Sequence, residues 1–382
     1  MDGVSVIHCA DLHLGASFSS LPPALAAERS KDLNRVFFKI IEICNAQKVQ
    51  LLLVSGDLFD SIHIHEGLAD MVKNAFGSIK DTLVAIAPGN HDPAVFDSLY
   101  RNKDYWPENV HIFTGGLSYI ELPALNVKLW GAGFTNVYQD DPLLTVSRQL
   151  DTGFINICVM HGDIVQIGGA SPYNPVTTAA IAGSSMDYMA LGHIHKPSGI
   201  CKAGSVYFSY PGSPEGLGFD EKGGERGVYM GIISHGACDL HLRPLNKYAY
   251  EDIHIDATGL RRQEIIKLIR DKIRTDKTRT INNLVKITLT GTVTEDNYIS
   301  SEYAASALSD IFYINFSDRT QLSVNPNNSG HNFTLRNIFI RKMQEKIDKN
   351  PEDEALKLAM KLGLQAFKEK VNYLSMNREL KP

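Results

Sequence analysis

Five times the sequence repeats one design: an apolar run that reads as a buried strand, then a short turn holding Asp, Asn or His. The turns are Asp11-Leu12-His13, Gly56-Asp57-Leu58-Phe59-Asp60, Gly89-Asn90-His91-Asp92, His161-Gly162-Asp163 and Gly192-His193-Ile194-His195. Taken singly, each is weak, because Asp-x-His or Asn-His-Asp at a strand end is commonly an ordinary polar turn. Their order and shared position after strands constrain the fold far more. The chain has to bring five strand ends to one place, and the residue types gathered there suit divalent cations.

The segments between the turns say how. Residues 4–9, 51–54 and 83–87 are short apolar runs, and residues 24–47 and 66–79 carry helical periodicity. Strand–helix–strand–helix–strand at this spacing predicts right-handed βαβ units and a parallel sheet. Strand ends of such a sheet converge on one edge, where open α/β folds hold their ligands. Short strands follow over 110–134, then strands at 154–160, 186–191 and 227–233. The expected division is residues 1–247 as the main domain, 248–325 as a smaller α/β unit, and 326–382 as a linker with C-terminal helices. The breaker Asn325-Pro326-Asn327-Asn328-Ser329-Gly330 marks the linker. Asn350-Pro351 followed by three acids predicts the start of the last helix.

A hydrophobic content of 43% and a charged content of 21% fit a globular chain with a sizeable core. The formal net charge of -5 excludes a uniformly basic nucleic-acid binder, so DNA contact needs a local patch or bound metal. The five cysteines lack metal-ligand spacing and read as free, mostly buried thiols in a reducing compartment. No run approaches the ~18 apolar residues of a membrane span. A cytoplasmic protein without membrane contact is expected.

Carboxylate, amide oxygen and imidazole together suit borderline ions such as Mn²⁺, and the absence of cysteine ligands argues against structural zinc. Two ions that share one bridging carboxylate can clamp the attacking and leaving oxygens of a phosphoryl displacement. The order of motifs resembles the calcineurin-like metallophosphoesterase superfamily across roughly residues 4–235. That resemblance implies a four-layer αββα core with a smaller α/β capping domain and C-terminal helices. It implies Asp11, His13, Asp57 and His195 around a first ion, and Asp57, Asn90, His161 and His193 around a second. It further implies His91 facing the substrate phosphate, Asp92 orienting His91, and a metal-activated water as nucleophile.

The stretches 9–15, 56–60, 88–92 and 210–214 are most similar to the SbcD-type DNA-repair exonucleases, including YhaO-like members. Protein phosphatases of the superfamily carry Arg-Gly after the second motif and Glu after Asn-His; Ser61-Ile62 and Asp92 stand there instead. Archaeal and eukaryotic nuclease relatives place a histidine where Asp60 stands, so no second catalytic histidine is carried over. His63 and His65 read as ordinary loop residues.

The resemblance implies DNA as substrate, a homodimer, and a coiled-coil ATPase partner of the SbcC type gripped by the C-terminal helices. The basic residues between Arg261 and Arg279, with Arg270, Lys272 and Arg274 as the named candidates, form either a solvated helix face or a phosphate-tracking one. Two other classes stay open on the sequence: a small-molecule phosphodiesterase or nucleotidase on the same centre, and a metal-free scaffold. The presence of every expected ligand speaks against the scaffold.

Overall fold

The computed structural model describes residues 3–145, 153–273, 282–323 and 335–368. The chain divides into two compact units, Met1–Tyr250 with Asp276–Asn282, and Glu251–Thr275 with Asn283–Pro382.

In chain order the first unit runs β1 (Val4–Cys9), α1 (Pro23–Gln47), β2 (Leu51–Val54), α2 (Glu66–Gly77), β3 (Leu83–Ile86), β4 (Val110–Ile112), β5 (Ser118–Leu122) and β6 (Val127–Ala132). It continues through β7 (Ile155–His161), β8 (Ile164–Val165), β9 (Val176–Thr177), α3 (Thr178–Gly183), β10 (Tyr188–Gly192), β11 (Cys201–Ala203), β12 (Val206–Ser209), β13 (Gly227–Ser234) and β14 (Ala237–Pro244). One sheet has the order β14-β13-β1-β2-β3-β4 and the other β11-β12-β10-β7-β6-β5. Strands β1 to β4 are mutually parallel, as the βαβ spacing requires, and β13 joins β1 antiparallel. In the second sheet β6, β7, β10 and β12 are parallel.

The sheets pack face to face. Val6, Leu51, Leu53 and Ala85 of the first meet Leu129, Ile157, Val159 and Ala190 of the second in one core. The alternate residues point outward into helices, so both faces of the central strands are covered. All residues of β2 and β7 are buried, which is why these strands read as unbroken apolar runs rather than alternating ones. On the first sheet's outer face Cys9 lies near Cys44 of α1, and Phe37 of α1 meets Phe76 of α2. On the second's, Met160, Met189, Leu191 and Phe208 pack with Ile181 of α3. The result is the four-layer αββα arrangement.

Strand β15 (Tyr248–Asp256) leads out of this unit. The second unit holds α4 (Arg262–Lys272), β16 (Asn282–Thr290), β17 (Thr292–Thr294), α5 (Ser301–Ala307), β18 (Tyr313–Asp318), β19 (Gln321–Ser323), α6 (Leu335–Lys349) and α7 (Glu354–Lys368). Ile265 and Ile269 bury one face of α4 against Ile255, Val285 and Ile287. Helices α6 and α7 pair with each other, Ile340 against Met360 and Leu364. They belong to the same compact unit as the α/β part: Leu322 packs on this pair, and Lys361 reaches Asp318 at 2.6 Å. The expected linker at 325–330 lies outside the described residues.

The last helix starts differently from the expectation. Asp353, not Asn350, accepts from the free N–H groups of Ala355 and Leu356, at 2.9 and 3.2 Å. All five cysteines are free thiols, with Cys9, Cys44 and Cys158 buried. Among the described residues no helix is long and apolar enough to cross a membrane.

Candidate metal centre

Register sets the stage. Cys9 pairs with Val54, Val54 with Ile86, and His161 with Gly192, so the strands of each sheet end level. Past those ends the chain must turn at once while still presenting polar side chains inward. It does so with left-handed backbone at Asp11 (φ 51°), His13 (φ 45°), Asp57 (φ 50°) and His193 (φ 106°). Such conformations cost a non-glycine residue roughly 1–3 kcal/mol each and persist only where the surroundings fix them. The first two loops supply that fixing by running side by side: His13 donates its N–H to the Asp57 carbonyl at 2.9 Å, and Leu14 to Leu58 at 2.9 Å. Gly56 (φ +86°) has to be glycine on a second count, since a Cβ there would run into the His161 ring.

Every expected ligand arrives at one place. Asp11, His13 and His195 form one group of converging ligand atoms, and Asp11, Asp57 and His161 another. Asp11 belongs to both groups, and Asp57 Oδ2 reaches a histidine of each, 3.7 Å from His13 Nε2 and 3.4 Å from His161 Nε2. Its Oδ1 accepts the His91 N–H at 2.9 Å, so the carboxylate cannot turn. On the second side, Asn90 Oδ1 is 3.0 Å from His161 Nε2 and 3.3 Å from His193 Nδ1.

The far sides of the rings explain which atoms face inward. His161 Nδ1 is 2.9 Å from the Ser55 carbonyl, which can only accept, so Nδ1 keeps a proton and Nε2 is the nitrogen left for a metal. Carboxylates do the same for two other rings: Asp60 is 2.9 Å from His13 Nδ1 and Glu221 is 2.6 Å from His195 Nδ1. Histidine metal ligands are oriented this way.

The inward atoms then make a poor match for one another. His13 Nε2 and His195 Nε2 lie 3.2 Å apart. Asp11 and Asp57 are buried, and among the described residues their ion-pair partners are histidines alone. Buried carboxylates and imidazole nitrogens aimed at a common centre require positive charge there, from protons or from metal, and this donor set fits two divalent ions.

Titration carries the same demand. Burial opposes a charged His161, but Asp57 and Asp11 outweigh it and push its pKa up to about 9. Burial likewise opposes a charged His195, yet Glu221 and Asp11 push it up to about 9. His193 moves the other way, down to about 4, through burial and the nearby His161. For Asp57, burial is outweighed by His161 and His13, and the carboxyl sits well below its ordinary range.

His91 is the exposed member of the group. Its ring lies edge-on to His13 at 4.6 Å, and its Nδ1 is 3.3 Å from the Asp60 carbonyl. The expected orientation of His91 by Asp92 is not what the structure has. Asp92 is buried and accepts from the N–H groups of Gly89 (2.8 Å), Phe59 (3.0 Å) and Asp57 (3.2 Å) and from Tyr100 Oη (2.7 Å). With both oxygens spent, it fastens the second loop to the third and acts on Asp57 instead. Asp60 is the residue beside His91.

Asp60 and Glu221 are the functional candidates that sequence reasoning did not assign. Asp60 carried a signal, three residues after Asp57 in the same turn. Glu221 sits in a glycine-rich loop with no local signature. His65 serves as the cap of α2, accepting from Gly67 N at 3.1 Å. Of the basic candidates, Arg270 makes a two-pronged bond to Asp310 (2.7 and 2.8 Å) and reaches the Ala307 carbonyl. Lys272 reaches the His254 carbonyl at 3.1 Å, and Arg274 lies outside the described residues.

Two facing mixed sheets, flanked by helices and carrying an Asp/His/Asn cluster at their strand ends, define a metal-dependent phosphoesterase. The chain belongs to the calcineurin-like phosphoesterase family, whose model matches residues 4–197. It is 25% identical to the uncharacterized metallophosphoesterase YhaO of Bacillus subtilis over 303 residues, covering 76% of this chain and 73% of that one. It is 23% identical to the DNA double-strand break repair protein Mre11 of Saccharolobus solfataricus over 380 residues, with 92% of both chains covered. It is also 25% identical to one component of the nuclease SbcCD of Escherichia coli over 277 residues, covering 61% of this chain and 66% of that one.

Proposed function

We propose that the protein is a Mn²⁺-dependent DNA nuclease, an exonuclease with endonuclease action as a second mode, that hydrolyses phosphodiester bonds in DNA repair. The observation that carries this reading is Asp57 standing between two clusters of inward-facing donors, with His91 exposed beside them. In this reading Asp11, His13, Asp57 and His195 hold one ion, and Asp57, Asn90, His161 and His193 the other. Two divalent ions held there supply Lewis acidity to a phosphate ester and to the attacking water. Mn²⁺ suits the mix of imidazole, carboxylate and amide oxygen.

The chain's own residues do the rest. The Asp60 carbonyl accepts a hydrogen bond from His91 Nδ1–H, which leaves Nε2 facing the leaving oxygen, where the doubly protonated ring delivers its Nε2 proton. Asp92 keeps Asp57 in place through the main chain. Mre11 and the SbcCD component, by their names, work on DNA breaks and as part of a larger nuclease. Those names support DNA as the substrate here; the homodimer and the SbcC-type coiled-coil ATPase partner belong to this reading through the resemblance to SbcD-type nucleases.

The basic face of α4 would track phosphates, with Arg270 exchanging Asp310 for the backbone and Lys272 on the same helix; Arg274, outside the described residues, stays a candidate from the sequence. The α6–α7 pair would meet the ATPase through what its own packing leaves out, such as Leu335 and Phe367, which are exposed.

The test is a substrate panel with Mn²⁺ and with EDTA: single-stranded DNA, double-stranded DNA and bis-p-nitrophenyl phosphate. Cleavage of DNA that EDTA abolishes is expected. Cleavage of the chromogenic ester alone would point to a small-molecule phosphodiesterase on the same centre.

A further inference from the structure

The matched family segment stops at residue 197, yet the grip on His195 does not come from that segment. It comes from residues 212–226, the strap that joins β12 to β13. The strap holds His195 at two points. Its main-chain carbonyl accepts from Arg226 Nη1 at 2.7 Å and from Ser213 N at 3.1 Å. Its ring is held through Nδ1, 2.6 Å from Glu221 Oε1.

Glu221 is itself braced. Its Oε2 accepts from Ser213 Oγ at 2.9 Å and Leu217 N at 3.2 Å, and lies 3.0 Å from Arg226 Nη1. Arg226 also donates to Ser213 Oγ at 2.7 Å and to the Glu221 carbonyl at 3.1 Å. Ser213 and Arg226 are buried, and the Glu221 side chain is 9% exposed. The close approach needs Gly212 (φ +74°), where a Cβ would run into the His195 carbonyl.

A buried Arg–Glu pair is costly to desolvate and weak evidence of stability. Here the pair is aimed at one imidazole whose other nitrogen faces the metal centre. The geometry points to Glu221, with Arg226 and Ser213 behind it, as a positioning residue for His195. It holds the proton on Nδ1 and fixes the ring plane, and so sets how tightly Nε2 holds the first ion. Carboxylates behind ligand histidines act this way, and losing one weakens metal binding by roughly 10- to 100-fold. The first ion's site is then completed by a strap outside the matched segment.

This rests on the two-ion reading, and the test separates the two. Mn²⁺ alone is titrated into the metal-free full chain: wild type, Glu221→Gln, His195→Ala and the double variant. Expected is that Glu221→Gln weakens, by about 10- to 100-fold, the same binding event that His195→Ala removes. It should add nothing once His195 is gone, because it acts through that ring. A Glu221→Gln protein with unchanged Mn²⁺ affinities, or an equal loss with and without His195, would overturn the assignment. Should Glu221→Gln fail to fold, Ser213→Ala replaces it. That variant removes one brace and should weaken the same event less, and an unchanged affinity would again overturn the proposal. A wild-type chain that binds no Mn²⁺ would overturn the two-ion reading itself.

Discussion

On one side of Asp57 the rings of His13 and His195 each lean on a carboxylate, Asp60 and Glu221. On the other side His161 leans on a main-chain carbonyl, and His193 lies against the Tyr173 ring at 4.7 Å. An ionised acceptor behind an imidazole makes it the more basic donor; a neutral carbonyl fixes the tautomer but adds less charge. The two halves therefore share a bridge and differ in grip. A firmly held first ion and a more exchangeable second one are expected.

The largest effect tests the bridge. Asp57→Asn should abolish metal-dependent hydrolysis and weaken both ions in a Mn²⁺ titration. Loss of one ion only would mean that the halves do not share this carboxylate. Next come the single-sided variants. His195→Ala should remove the first ion and His193→Ala the second, so competition with Mn²⁺ should show two different losses. The same loss in both would merge the halves. A third, smaller step removes a brace. Asp60→Asn should weaken the first ion by roughly 10- to 100-fold while sparing the second. Equal weakening of both would erase the contrast.

Acidity offers a fourth approach. In the metal-free chain His161 and His195 hold protons up to about 9, well above the ordinary 6.5. A raised pKa stabilises the fold fully below 6.5, and that contribution disappears as pH rises through 9. Melting of the EDTA-treated protein should therefore fall over this window, and Mn²⁺ binding near neutral pH should release protons into the buffer. A flat melting profile and no proton release would contradict the charge state. The smallest effect belongs to Tyr100→Phe, which leaves Asp92 three of its four bonds and should cost about 1 kcal/mol in a denaturant melt.

Much of this was legible in the sequence because it is local. Each turn directly follows its own strand, so the ligand types and their edge could be read from order alone. The parallel sheet followed from the strand–helix spacing, and the four-layer core from the resemblance that the motifs carried. What could not be read is set by distance or direction. Glu221 meets His195 across 26 positions, through a strap whose glycines carry no chemical signature. Asp92 adjoins His91 in sequence, but its side chain turns into the core while the ring turns out. Charge counting on α4 could not see Asp310, 40 positions beyond Arg270. The resemblance assigns the C-terminal helices to a partner, and no sequence pattern shows that Met360 and Leu364 of α7 pack on α6.

The most direct test of the shared, unequal centre is anomalous diffraction at the manganese edge from crystals of the full chain soaked in Mn²⁺. Two peaks about 3.5–4 Å apart are predicted on either side of Asp57, with the one beside His13 and His195 filling first. A single peak, or two peaks with Asp57 bound to only one, would contradict this.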